Sequence, residues 1–266
     1  MAADMPTTFL GWVMFIINQY GTALLQGAGV TLLLALFGTF IGCIIGLFVG
    51  IVQTIPVTDR TNSGFKFLNK IIQFIFAAYV EIFRGTPMIV QAMVVYYGSM
   101  AVFNIDMSAM VAGFLVVSVN TGAYMAETVR GGIISVDKGQ TEAAMAIGMN
   151  HIQTMYTVVL PQALRNIMPQ IGNNLIINIK DTSVLNVISV TELYFVSKSA
   201  AGVYYRYFEV FFVTCVIYFI MTFTASRILR YIEHRMAGSA DYQLVNDPMA
   251  DPTGIFPNNS NQGGKQ

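Results

Sequence analysis

No charged residue occurs between Asp4 and Asp59, so residues 5 to 58, 54 in all, form one neutral and largely apolar stretch. A bilayer crossing needs only roughly 20 such residues as a helix, so part of the stretch must lie along a surface or in a loop. Phe9 to Ile17 is too short to span. With Trp12 and the polar Asn18, Gln19 and Gln26 around it, residues 1–26 read as an N-terminal interfacial segment. A cleaved signal peptide is disfavoured because the basic n-region is missing. The whole chain is 55% hydrophobic and only 11% charged, which excludes an ordinary soluble globular class.

Spans are expected at about 28–52, 87–103, 108–128 and 210–226, each apolar enough to satisfy its backbone as a helix in lipid. A fifth, about 171–194, carries Asn173, Asn174, Asn178, Lys180, Asp181 and Asn186, so only burial against other helices makes it credible. Phe67 to Val80 is apolar enough to be a sixth. Parity opposes that, and 67–83 is read as a helix at the inner boundary running into a break at Gly85-Thr86-Pro87. With five spans, Arg60, Lys66, Lys70, Arg130, Lys138, Arg165, Arg227, Arg230 and Arg235 all fall on one side. The other side receives Lys198 and Arg206. The positive-inside rule then puts the N-terminus outside and the C-terminus in the cytoplasm.

Gly38, Gly42, Gly46 and Gly50 recur at every fourth residue, lining one helical face for close approach of another helix. Static packing within the subunit is favoured over an interface that slides during transport. Glu81 and Arg84 stand three apart beside the expected break, either as functional charges or as a pair that anchors it. Lys180 and Asp181 lie mid-segment, about 100° apart on a helix, and need partners on other helices. Asn120, Tyr124 and Glu127 form one polar stripe at i, i+4 and i+7, facing either a solute path or an internal hydrogen-bonded contact. Cys43 and Cys215 read as small apolar residues of spans rather than a disulfide framework. From Met236 the composition turns polar and rich in Gly, Asn, Asp and Pro, which predicts a disordered tail over 236–266.

Between the third and fourth spans, Thr141 to Met155 is rich in helix formers, with Gly148 as the interruption between two short helices and Leu160-Pro161 restarting the chain toward the membrane. A compact helical hairpin of this kind suits a groove in a partner protein. The chain has no G-x-x-x-x-G-K-[ST], no H-E-x-x-H, no C-x-x-C and no G-x-S-x-G, so neither ATP binding nor a hydrolytic site has a visible seat. His151 and His234 read as surface or interface residues rather than metal ligands, and nothing points to nucleic acid.

Glu142-Ala143-Ala144, then Gly148, then Val158-x-Leu160-Pro161 resembles the "EAA" loop of permease subunits of bacterial ATP-binding-cassette importers. The segments 79–87, 123–132 and 180–183 resemble the polar-amino-acid branch, the histidine, glutamine, glutamate and arginine type. The likeness covers roughly residues 22–235, and its motifs stand in the right order. It implies an all-α type I importer transmembrane domain over 27–232, with the coupling loop at about 136–165, in the bacterial cell membrane. It also implies Glu142, Ala143, Ala144, Gly148, Leu160 and Pro161 as the joint to a pair of ATPase subunits, which would carry ATP and magnesium. An external amino-acid-binding protein and a second permease, identical or paralogous, complete the implied assembly. Glu81, Arg84, Asn120, Tyr124, Glu127, Lys180 and Asp181 are the candidates for the solute path. The alternatives are an ABC permease for another small polar solute, an intramembrane enzyme using Lys180 and Asp181, and a passive channel.

Overall fold

Phe9–Gln53 forms one unbroken helix, α1, of 45 residues, in a computed structural model that describes residues 5–55 and 63–237. The expected division near residue 27 is therefore not a helix boundary. Gly27 and Gly29 stand there without ending the helix, Gly27 lying close against the Leu193 backbone, and Trp12 and Ile16 are buried against the rest of the chain. Trp12 lies 5.9 Å from the Tyr204 ring, and Ile16 joins a core with Leu24, Leu193, Val210 and Val213. Met236 and Ala237, the first two residues of the expected tail, are the last of the long C-terminal helix instead; the rest of the tail and Arg60 lie outside the described residues.

The remaining helices are α2 (Ser63–Gly85), α3 (Met88–Phe103), α4 (Ala109–Ile134), α5 (Lys138–Ala146), α6 (His151–Thr154), α7 (Leu160–Asp181), α8 (Leu193–Tyr204) and α9 (Tyr207–Ala237). A π-turn, Met155–Val159, feeds α7, and a 3₁₀ segment, Thr182–Ile188, follows it. Among the described residues no strand occurs. Three helices, α1, α4 and α9, are each long and apolar enough to cross a membrane. The other crossings are less conventional. The pair α2 and α3 is bent by 111° and makes at most one span. Helix α7 is too polar to qualify by composition, and it begins at residue 160 rather than near 171. Pro161 fits its first turn, where the missing N–H is an orphan anyway, and Pro169 is accommodated inside it.

The expected helix over 67–83 is present and runs into the expected break at 85–87, and its packing gives its direction. Gln73 Nε2 donates to Val52 O at 2.9 Å, the Phe76 and Phe48 rings lie 6.0 Å apart, and Tyr79 Oη donates to Val119 O at 2.6 Å. As α2 advances, its partners on α1 recede from Val52 to Phe48, so α2 runs antiparallel to α1 and climbs toward mid-helix before breaking.

Helices α1 and α4 run parallel, which the glycine ridge makes possible. A Cβ on Gly38, Gly42, Gly46 or Gly50 would strike Val117, Thr121, Met125 or Val129 in turn, so the two backbones meet along four helical turns. Helix α7 runs antiparallel to α4: Gly132 faces Ile167, Met125 faces Asn174, and Thr121 faces Asn178. Helix α9 then runs antiparallel to α7, with Leu229 beside Gly172. The segment 135–159 therefore emerges at the same end of the bundle as the C-terminal ends of α1 and α9.

Asn178 ties three of these helices together. Its Nδ2 donates to Thr39 Oγ1 at 2.7 Å and to Thr121 Oγ1 at 2.9 Å, all buried. Interhelical hydrogen bonds in lipid are worth about 0.6–2 kcal/mol each, so Asn178→Leu is expected to lower stability by about 2 kcal/mol. Denaturant titration of the purified chain in detergent measures this, and an unchanged midpoint would show the triad to be energetically idle.

Candidate functional site

Two features stand out, one at the end of the bundle and one within it. At the end, Asp137 caps α5 by accepting from Gly139 N at 2.7 Å. Helix α5 closes in a Schellman turn, with Gly148 N donating to Met145 O at 3.0 Å and Met149 N to Ala144 O at 3.1 Å. That turn puts Gly148 at φ +92°, a conformation L side chains rarely adopt, with open space around its Cα. Asn150 and Gln153 then form a capping box, each side chain accepting from the other's backbone N–H at 2.9 Å. The hairpin is thus fixed by its own sequence.

Its two faces differ. Ala144, Val159 and Leu160 are buried, the latter two packed with Ile133, Val136, Ala163 and Ile167 at the ends of α4 and α7. Glu142, Ala143 and Pro161 are exposed. So are Met145, Ile147, Ile152 and Tyr156, with Ile147 76% and Tyr156 71% accessible. The sequence did not single out these four. Their signal is an apolar residue on each turn of a short hairpin that has nowhere in its own chain to bury it.

Within the bundle, the α2–α3 break, α4 and α7 enclose a cavity of about 600 Å³. Of the sequence-derived candidates, Arg84, Asn120, Tyr124 and Asp181 line it. Gln170, Asn174, Ile177, Asn178 and Asp181 reach it from a single face of α7. The anchoring pair proposed between Glu81 and Arg84 is not formed. Arg84 instead makes an ion pair with Glu127 of α4, and its guanidinium lies 5.6 Å from the Tyr124 ring centre. Arg130 approaches the other Glu127 oxygen at 3.5 Å. Glu81 is exposed on α2. Lys180, one residue from Asp181, opens into a different groove with Ser183, Tyr194, Cys215 and Tyr218. The 100° step between neighbours on a helix separates the two charges.

The cavity can present one cation, partly neutralised, together with several amide and hydroxyl groups and one carboxylate. Such a lining suits a small, strongly polar solute, with no nucleophile–base pair arranged for catalysis. Asn120 Oδ1 and Asp181 leave acceptors there, whereas the amide hydrogens of Asn120 and Asn178 are used within the protein.

Residues 46–238 match the model of the family described as binding-protein-dependent transport system inner membrane component. The glutamine transport system permease protein GlnP of Escherichia coli (strain K12) is 36% identical over 80% of this chain and 92% of its own length. The arginine transport system permease protein ArtQ of Bacillus subtilis (strain 168) is 30% identical over 80% and 92%. A chain from the crystal structure of an amino acid ABC transporter with histidines superposes with a TM-score of 0.74 at 34% identity, covering 87% of this chain and 100% of that one. A chain of the MetNI methionine ABC transporter, in an inward-facing conformation, shares the fold at a TM-score of 0.63 and 21% identity, over 80% and 97%.

Proposed function

The chain belongs to the binding-protein-dependent transport system inner membrane components, and on that premise we propose that the hairpin at 142–161 is where a separate ATPase pair drives it. As a member of that family it is a permease subunit of an ABC importer, not an enzyme, and it resides in the inner membrane. The single observation that supports the coupling role is the exposed row Met145, Ile147, Ile152 and Tyr156 on a backbone held rigid by two caps. A preformed apolar helical face of this size fits a groove, and it enters one with little ordering cost. Glu142, Ala143 and Gly148 shape the contact, Ala144 and Leu160 root it in the bundle, and exposed Pro161 sits in the first turn of α7.

The end bearing the hairpin is read as cytoplasmic, since Arg227, Arg230 and Arg235 share it. The transmembrane domain is taken as 27–232. Polar amino acids are the solute class, on the strength of the glutamine and arginine named for its relatives, delivered by an external binding protein to a pair of permease subunits. The solute passes Arg84, Asn120, Tyr124 and Asp181, with Glu127 just outside the lining as the partner of Arg84. Glu81 and Lys180 stay candidates only through a second permease, because neither borders the cavity of a single chain.

Closure of the ATPase pair moves the two hairpins and shifts the bundle between inward- and outward-facing states. Gly148 is the sensitive point. Gly148→Val forces a β-branched residue to φ +92°, at a cost of about 1–3 kcal/mol in local strain, and the turn is expected to open. The expected result is normal membrane insertion, retained ATP hydrolysis and at least ten-fold lower uptake in reconstituted vesicles, about ten-fold corresponding to 1.4 kcal/mol of coupling. Wild-type uptake by this variant would sink the coupling role.

A further inference from the structure

Pro87 has no N–H, so Phe83 O, four residues earlier, loses the donor that a continuous helix would supply. Inside a membrane a bare carbonyl is poorly tolerated. Two side-chain amides replace the missing donor: Gln91 Nε2 at 2.9 Å and Asn120 Nδ2 at 3.1 Å. Gln91 Nε2 also reaches Thr86 O at 3.0 Å and Thr86 Oγ1 at 2.9 Å, while its Oε1 accepts from Asn120 Nδ2 at 3.0 Å. Thr86 Oγ1 donates in turn to Ile82 O at 2.8 Å. One side chain on α3 therefore holds the end of α2, the linker and α4 together.

Gln91 is only 7% exposed, on a helix whose sequence is otherwise almost entirely apolar. It does not border the cavity. Its neighbour through the chain does: Arg84 follows Phe83 directly, and its guanidinium faces Tyr124 and Glu127. Fixing Phe83 O fixes the backbone from which Arg84 projects. Of the residues of similar length, only glutamine can donate to the carbonyls and accept from Asn120 at once; glutamate accepts without donating, and methionine does neither.

We propose that Gln91 is a positioning residue for transport, whose amide sets the α2–α3 angle at which Arg84 reaches the cavity. The inference rests on the cavity being the solute path. Gln91 acts on solute handling chiefly through Arg84, and secondarily through the Asn120 amide that it also holds, so its loss and that of Arg84 are coupled.

The test is a double-mutant cycle in the complete transporter, reconstituted with its ATPase and binding protein. It uses whichever of labelled glutamine, arginine, glutamate or histidine the wild-type assembly takes up. Gln91→Met is expected to raise the KM for uptake on the order of ten-fold, as lost buried hydrogen bonds would, with assembly and basal ATP hydrolysis unchanged. Arg84→Gln is expected to raise KM as well, and the double variant to lose less than the two single losses combined. Additive losses would make Gln91 a purely structural residue and overturn the proposal. A raised KM for Arg84→Gln with a wild-type KM for Gln91→Met overturns the proposal and leaves the cavity reading standing. Wild-type uptake by Arg84→Gln overturns both. Should Gln91→Met fail to assemble, Gln91→Asn, which keeps the amide one methylene short, is expected to give an intermediate KM, and a wild-type KM there overturns the proposal.

Discussion

Gly46→Leu is expected to force α1 and α4 apart and to lower the stability of the purified chain by about 3 kcal/mol, the upper part of the usual range for overpacking. A Cβ at position 46 would lie 2.8 Å from the carbonyl carbon of Met125 and 2.9 Å from the nitrogen of Ala126. Those are backbone atoms, which no rotamer change can clear. The helices would have to separate along a contact that continues through Gly38, Gly42 and Gly50, losing dispersion contacts over its whole length. Denaturant titration in detergent reads the loss. Gly29→Leu is the control, because a Cβ at Gly29 meets nothing within 4 Å. Equal losses at the two positions would mean that leucine perturbs α1 itself rather than its seam with α4.

Glu192→Ala has the second large expected effect. Glu192 is fully buried and caps α8, accepting from Tyr194 N at 2.8 Å and Phe195 N at 2.7 Å. It also accepts from Tyr218 Oη at 3.1 Å and, weakly, from Thr31 Oγ1 at 3.4 Å. Four donors from three helices thus converge on one carboxylate. Removing it costs about 1 kcal/mol as a helix cap and strands buried hydroxyls at about 1–3 kcal/mol each. A total near 3 kcal/mol is expected, together with loosening of α8 from α1 and α9. Glu192→Gln keeps an acceptor for the backbone N–H groups and should lose less than half as much. The same detergent titration reads both, and equal losses for the two would show that charge, not capping geometry, is what counts.

The hairpin at 142–161 was legible because its determinants are local. Alanines, a glycine at the turn and an Asn–Gln capping pair act within a few residues of one another, and no distant contact is needed to specify them. The parallel run of α1 and α4 follows from the parity of the crossings, and the four-residue glycine period marks the face on which they meet. The break at 85–87 and the helix beyond it were legible from Gly85-Thr86-Pro87, but the geometry of the pair was not. Its 111° bend depends on what replaces the donor missing at Pro87, and the replacements come from positions 91 and 120. Asking which group answers Phe83 O would have singled out Gln91 as the polar residue one turn beyond the proline. The charged residues of the cavity were recognised as a set but not paired. Arg84 has Glu81 one turn away in sequence, yet its partner is Glu127, because helix register across α2 and α4 outweighs spacing along α2. Likewise the polar residues of α7 divide by direction: Asn178 is spent on threonines, Asp181 opens to the cavity and Lys180 turns away. Glu192 was overlooked, although an acid flanked by apolar residues within a membrane protein is itself a signal for a buried network.

The π-turn at Met155–Val159 passes into α7 without any intervening loop. Asn178 stands 18 residues beyond Leu160, roughly 27 Å along the helix at 1.5 Å per residue. Pro169, nine residues into that run, interrupts its hydrogen bonding. The hairpin and the Asn178 amide thus stand on one continuous run of helical backbone, with that proline between them as the place where a tilt at the bundle's end can be taken up before it reaches the interior.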